Sequence, residues 1–283
     1  MTAETAIPVA PMQRSRGAGT LAVKLSGGRT RIDRLRQSGN ARIRVPKTYG
    51  GVLESVLINT AGGVTGGDTL NWTVSAAQGT QTVVTTQACE RIYRSTGETG
   101  RQETAISVGG DAALFWLPQE TILFDGGRFC RALDVDLAGT ARFVALETLV
   151  FGREAMGETV SSGFFHDRWR IRREGRLVHA DDVRFDIAGR FDTANTALLG
   201  GNRAAATLVA AVPGDGEQLD LLAHDARALL RGAAAGVSRI GERDGGKVVV
   251  RLAAPSGHAL RRHLLPVLAL FLGNNPLPRV WGL

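Results

Sequence analysis

A chain of 283 residues with 43% hydrophobic and 22% charged residues can bury a sizeable core, which excludes a disordered polymer. No apolar run reaches the roughly 18 residues of a membrane span, and the N-terminus lacks a charged-then-apolar leader. The expectation is a cytoplasmic protein with no membrane attachment. Cys89 and Cys130 lie far apart with no CxxC partner, which excludes a disulfide framework and a zinc finger, and both read as buried thiols. The net charge of +7 is uneven, because ten Lys or Arg and one acid, Asp33, fall between Arg14 and Lys47. No nucleic-acid motif accompanies them. A solvated face or a docking surface for an acidic protein is the better reading, with no nucleic acid among the expected partners.

In chain order, residues 1–13 read as a flexible tail and 14–283 as one β domain. The 36 glycines mostly flank short apolar runs, as turns between strands do. Strands are predicted at Leu53–Asn59, Leu70–Val74, Thr82–Thr86, Ala112–Leu117, Ala141–Phe151, Arg168–Arg172, Thr207–Val212 and Lys247–Leu252. Arg168-Trp169-Arg170-Ile171-Arg172 alternates strictly, so three arginines share one sheet face while Trp169 and Ile171 share the other. Glu174-Gly175 then offers a hairpin turn before Leu177-Val178. Two late segments have helical spacing. One covers about 216–232, with Asp215 and Gln218 as a capping box and Gly232 or Gly236 as a stop. The other covers 256–273, with Gly273 as its stop and Pro266 expected to kink or divide it. A doubly wound parallel sheet is disfavoured, because the spacers between the early strands are too short for crossover helices.

Asn59 to Thr69, with Gly62, Gly63, Gly66 and Gly67, is the most unusual stretch. A phosphate loop would need a Lys and a helix start, whereas Asp68 and a strand follow. Two tight turns with positive φ are the bland reading. An intermediate one is close-packed backbone lining a narrow polar passage faced by Thr60, Thr65 and Asp68. His166-Asp167, and His179 with Asp181 and Asp182, are loose imidazole–carboxylate groupings that suit surface turns better than a nickel- or zinc-type ion. Glu120 and Glu147 lie in apolar, strand-like surroundings, so each either pairs with backbone and Arg or lines something wet. Spacing alone shows an all-β body without a recognisable active site.

The residues are informative in another way. Asn-Thr-Ala-Gly-Gly-Val-Thr-Gly-Gly-Asp at 59–68 resembles the hallmark of the urease accessory protein family UreD, called UreH in some organisms. Further matches follow in family order: Thr85-Thr86-Gln87-Ala88, then Ile92-Tyr93-Arg94-Ser95, then Trp116-Leu117-Pro118-Gln119-Glu120-Thr121-Ile122 leading into Phe124-Asp125-Gly126. Glu147 precedes Phe151-Gly152-Arg153 and Ala155-Met156-Gly157-Glu158, and the chain closes on Leu277-Pro278-Arg279-Val280-Trp281. The resemblance runs from about Arg14 to the C-terminus. It implies a mainly β fold, a layered helical stack of β-strands (β-helix-like) with two α-helices in the C-terminal third. It also implies a scaffold rather than an enzyme, joining UreF and the GTPase UreG on urease apoprotein, with UreE indirectly as nickel donor. No cofactor would be tightly bound, and nickel(II) would pass transiently through a water-filled passage. Thr60, Asp68, Thr85, Thr86 and Glu147 fall in motifs suited to such a lining. Sparse oxygen ligands suit transit better than Cys/His clusters do. An enzyme with an unrecognised site on a β scaffold is one alternative. An RNA-binding module using Arg29, Arg31, Arg34 and Arg36, with salt-dependent binding, is another. Neither accounts for the Gly-Gly-Val-Thr-Gly-Gly-Asp segment.

Overall fold

The computed structural model describes residues 13–48, 50–188, 198–213, 216–241 and 246–282. The expected tail, apart from Gln13, and the capping residue Asp215 lie outside the described residues. The chain opens with β1 (Arg16–Ser26), β2 (Arg29–Ser38) and β3 (Ala41–Arg44), followed by β4 (Leu53–Asn59), β5 (Thr69–Ala76) and β6 (Gln81–Thr86). Next come β7 (Glu90–Ile92), β8 (Gly100–Val108), β9 (Ala113–Leu117), β10 (Thr121–Leu123), β11 (Arg128–Leu137) and β12 (Arg142–Phe151). The last part holds β13 (Ser162–Arg173), β14 (Arg176–Ala188), β15 (Ala204–Ala211), α1 (Gly216–Leu229), β16 (Ala234–Ile240), β17 (Lys247–Ala254) and α2 (Gly257–Leu272).

Two sheets face each other. One runs β14-β13-β11-β8-β5-β1-β2 and the other β16-β17-β15-β12-β9-β6-β4-β3, with β10 on β12 and β7 on β10. From β4 to β13 the long strands alternate between the sheets, so neighbours in each sheet pair in parallel: β5 with β8, β8 with β11, β6 with β9 and β9 with β12. This is the β-solenoid stack. The short spacers do exclude crossover helices, yet the sheets are largely parallel, because each return to a sheet runs through a strand of the opposite sheet instead of a helix. Antiparallel hairpins close the ends. In the β13–β14 turn Glu174 and Gly175 both have positive φ (48° and 74°), the conformation a two-residue type I′ turn requires. The basic N-terminal stretch supplies β2, an exposed edge strand.

Alternation sorts the core into layers. Between the sheets, Leu21, Trp72, Val74, Trp116, Leu133, Phe143 and Trp169 form one apolar cluster. Val64, Ile92, Phe129, Leu149, Phe151 and Phe165 form another. The opposite faces of β9, β12, β15 and β17 present Phe115, Leu146, Leu208 and Val250 to the helices. Each fully buried large side chain contributes about 1.5–3 kcal/mol. Ser256 caps α2 by accepting the Ala259 N–H at 3.0 Å, and Gly273 ends it. Pro266 does not divide this helix. It removes one N–H from the ladder, while burial of Leu264, Val267, Leu268 and Phe271 carries the helix through.

Candidate functional site: a polar layer between the sheets

The two inter-sheet clusters are separated by one ionic level. On β11 the inward row reads Phe129, Arg131, Leu133, and its register partners on β13 are Phe165, Asp167, Trp169. Across the gap β12 offers Glu147 between Ala145 and Leu149. Arg131, Glu147 and Asp167 are only 5, 5 and 8% exposed. Arg131 Nη1 donates to Glu147 Oε2 at 2.5 Å and to Thr121 Oγ1 at 3.0 Å, and Nη2 donates to Asp167 Oδ2 at 2.6 Å. The remaining carboxylate oxygens accept indole N–H groups, Glu147 from Trp116 at 3.0 Å and Asp167 from Trp169 at 3.1 Å. The guanidinium also stands over the Phe165 ring, 5.6 Å from its centroid. Arg131 Nε has no partner among the described residues. Burial pushes the Glu147 carboxyl above the ordinary carboxylate range, with Arg131 opposing the effect and the Asp167 charge adding to it. The flanking carboxylates hold Arg131 well above the ordinary arginine range. A buried ion triad is often no more stable than a well-packed apolar replacement, whereas removing one member leaves a buried charge uncompensated.

Two cavities flank this triad. One of about 390 Å³ touches Arg131, Glu147, Asp167, Val183, Thr207, Gly236 and Arg251. The other, of about 260 Å³, touches Arg131, Glu147, Thr121, Gln102, Thr86 and Glu90. Cross-strand register puts most of these residues on one level. In the first sheet Leu70 pairs with Gln102, Gln102 with Arg131, Arg131 with Asp167 and Asp167 with Val183. In the second, Glu147 pairs with Thr207, Thr207 with Arg251 and Arg251 with Gly236. A row carrying Gln102, Arg131, Asp167, Glu147, Thr207 and Arg251 therefore crosses the sandwich perpendicular to the strands, between the two apolar clusters.

The glycine-rich loop has a different chemistry. Asp68 accepts the Ser15 N–H at 2.7 Å and the Thr65 N–H at 2.9 Å, one on each carboxylate oxygen. Thr65 Oγ1 donates to the Arg94 carbonyl at 3.0 Å, and Thr60 Oγ1 to the Asn40 carbonyl at 3.1 Å. Gly62 and Gly67 adopt φ of 78° and 82°, the left-handed region that favours glycine. At Gly63 and Gly66 a side chain would run into the Arg91 and Glu98 carbonyls. Thr85 accepts the Trp281 indole N–H at 3.2 Å, whereas Thr86 accepts the Gln119 N–H at 2.8 Å and lines the smaller cavity. Of the six passage candidates, Thr86 and Glu147 line these cavities, and Thr60, Thr65, Asp68 and Thr85 do not.

Other motif residues tie segments together. Gln119, after Pro118, donates to the Val280 carbonyl at 3.1 Å, and Arg261 bridges Gln119 and Glu120 while lying over the Trp281 ring. The C-terminus is thereby clamped to β6 and β9. Cys89 donates to Glu120, and burial raises its thiol to about 11. Tyr93 donates to the Gly62 carbonyl at 3.3 Å, Arg94 pairs with Asp125, and Arg153 pairs with Glu158 beside Gly152. The histidine groupings split up. His166 meets Asp182 at 2.7 Å on the surface, Asp181 meets Arg251 at 2.7 Å, and Asp167 turns inward to the triad. His179 is buried against Trp169, and burial pushes it down to about 4. Among the described residues no group of three or more His, Cys, Asp or Glu is placed to hold a metal ion, and no helix is long and apolar enough to cross a membrane. Sequence reasoning missed Arg131, Gln102, Thr207 and Arg251. The available signal was Arg131 falling in phase with Phe129, Leu133, Val135 and Leu137.

Comparison with known proteins supplies a family. Residues 15–282 match the model of the UreD urease accessory protein family. The chain is 49% identical over 284 aligned positions to the urease accessory protein UreD of Chelativorans sp. (strain BNC1), covering 100% of this chain and 99% of that one. It is 49% identical over 271 positions to that of Rhizobium etli, with 96% of each covered. The UreD of Sinorhizobium medicae is 46% identical over 282 positions, covering 99% and 100%.

Proposed function

The chain belongs to the UreD family of urease accessory proteins, and on that premise we propose that it acts in urease maturation as a non-catalytic scaffold that carries nickel(II) across its inter-sheet polar layer. In this reading it joins UreF and the GTPase UreG on urease apoprotein, and UreE feeds nickel to the assembly. One observation carries the route: two cavities share Arg131 and Glu147 in their walls. Glu147 offers a carboxylate to both cavities, with Asp167 lining the larger and the Thr86 and Thr121 hydroxyls the smaller. Hard oxygen donors of this kind, supplemented by water, bind a divalent ion weakly enough to release it. Thr60, Thr65, Asp68 and Thr85 would serve the route indirectly, through the loop and the C-terminal clamp that shape its walls.

The test is a plug at the far end of the larger cavity. Gly236 lies on the edge strand β16 in the row of Arg251 and Thr207, and a side chain there meets open space. Gly236→Trp should lower urease activation at least tenfold, while pull-down with UreF on the same protein stays at the wild-type level. Full activation by that variant would overturn the route.

A further inference from the structure

We propose that Arg131 is a displaceable plug, its guanidinium filling the seat between Glu147 and Asp167 that a divalent cation must take to cross from one cavity to the other. The inference rests on the nickel route proposed above and names its control point. Arg131 and Glu147 are the residues common to both cavity walls, whereas Asp167 lines the larger cavity alone and Thr121 the smaller alone. The guanidinium therefore reaches from one compartment to the other, with Nη2 on Asp167 and Nη1 on Thr121 and Glu147.

Charge and geometry both favour exchange. With both acids ionised, two carboxylates face one guanidinium, so a divalent ion would match them better than the resident monovalent cation does. Each carboxylate receives a single Nη, not the bidentate fork that makes arginine pairs strong. The Nε donor has no partner among the described residues, so the clamp on the side chain is incomplete. Once vacated, the seat offers two carboxylates and a hydroxyl. That all-oxygen set leaves about half of a six-coordinate shell to water and suits passage rather than storage. The plug also gives selectivity a physical form: an ion enters only if it replaces the guanidinium's interactions with both acids.

Nickel ions titrated calorimetrically into the purified full-length chain test the plug. Arg131→Gln should bind one nickel per chain with a Kd at least tenfold below that of the wild type, and adding Glu147→Gln should abolish the gain. If Arg131→Gln does not fold, Arg131→Lys serves. A single ammonium covers one carboxylate closely, so a Kd at least threefold lower than wild type is expected. A folded Arg131→Gln or Arg131→Lys protein that binds nickel no tighter than wild type overturns the plug, as does a gain that survives Glu147→Gln. The two readings fail separately. Blocked activation by Gly236→Trp with no gain in the Arg131 variants removes the plug alone. Full activation by Gly236→Trp removes the route, whatever the Arg131 variants bind.

Discussion

The glycine-rich loop at 59–68 and the ionic level at Arg131 are both polar, yet they spend their polarity in opposite ways. In the loop, Asp68 is committed to the Ser15 and Thr65 amides and Thr65 to the Arg94 carbonyl. Its hydrogen bonds are local bookkeeping for backbone that leaves regular pairing. At the ionic level, three charged side chains are buried among aromatic rings, one donor is left over, and open space lies on both sides. A conspicuous motif can thus mark a demanding fold, while an unremarkable Arg in an alternating strand marks the place where chemistry stays open.

Substitution at the ionic level should have the largest effect. Arg131→Met leaves two buried carboxylates uncompensated and should cost about 3–5 kcal/mol in urea unfolding. Adding Glu147→Gln and Asp167→Asn removes the charge while keeping acceptors for the Trp116 and Trp169 indoles. That triple variant should recover most of the lost stability yet fail to support urease activation. Recovery of both would show that the triad is only a packing device.

The loop should behave conversely. Asp68→Ala strands two amides and should cost about 2–3 kcal/mol, while activation per folded molecule stays near wild type. Activation lost without any loss of stability would return Asp68 to the wall of the passage and erase the contrast between the two regions.

What the sequence revealed follows the same division. Arg168–Arg172 read correctly from sequence because Trp169 and Ile171 fill both of its core-facing positions, and Leu53–Asn59 because Leu53 and Leu57 flank only the small buried Ser55. The overlooked β8 and β11 carry Gln102, Thr104 and Arg131 in their inward rows, so the alternation is interrupted where the polar layer crosses them. Both helices were legible from their 3.6-residue apolar spacing, and Ser256 and Gly273 bound the second. The solenoid path was not legible from spacing, since parallel pairing through the opposite sheet leaves no local signature; it came with the family resemblance. Glu147 was noticed because a carboxylate in an apolar strand needs a partner. Asp167 was read with His166 on a turn, but the strand alternation sends the two side chains to opposite faces.

The smallest expected effect concerns Glu90, where loop and cavity meet. Its Oε1 accepts from Asn59 Nδ2 at 3.0 Å, and the same amide nitrogen donates to the Gly63 carbonyl at 3.0 Å, so the carboxyl supports the glycine loop while facing the smaller cavity. Burial pushes Glu90 up to about 7, against the opposing effect of the Asn59 hydrogen bond. A carboxyl whose pKa is raised on folding favours the folded state most when protonated. Its contribution is fully present below the unfolded value near 4.5 and is lost as pH rises through about 7. Glu90→Gln fixes the neutral form and keeps the acceptor for Asn59. In metal-free buffer the variant should match the wild type at pH 4.5 and exceed it at pH 8 by about 1–2 kcal/mol, less than the full shift implies because the side chain is partly exposed. The difference should grow between those limits in a urea series. A constant difference across that range would mean that water in the cavity solvates Glu90 as well as bulk solvent does, and the loop and the passage would then share one wet surface.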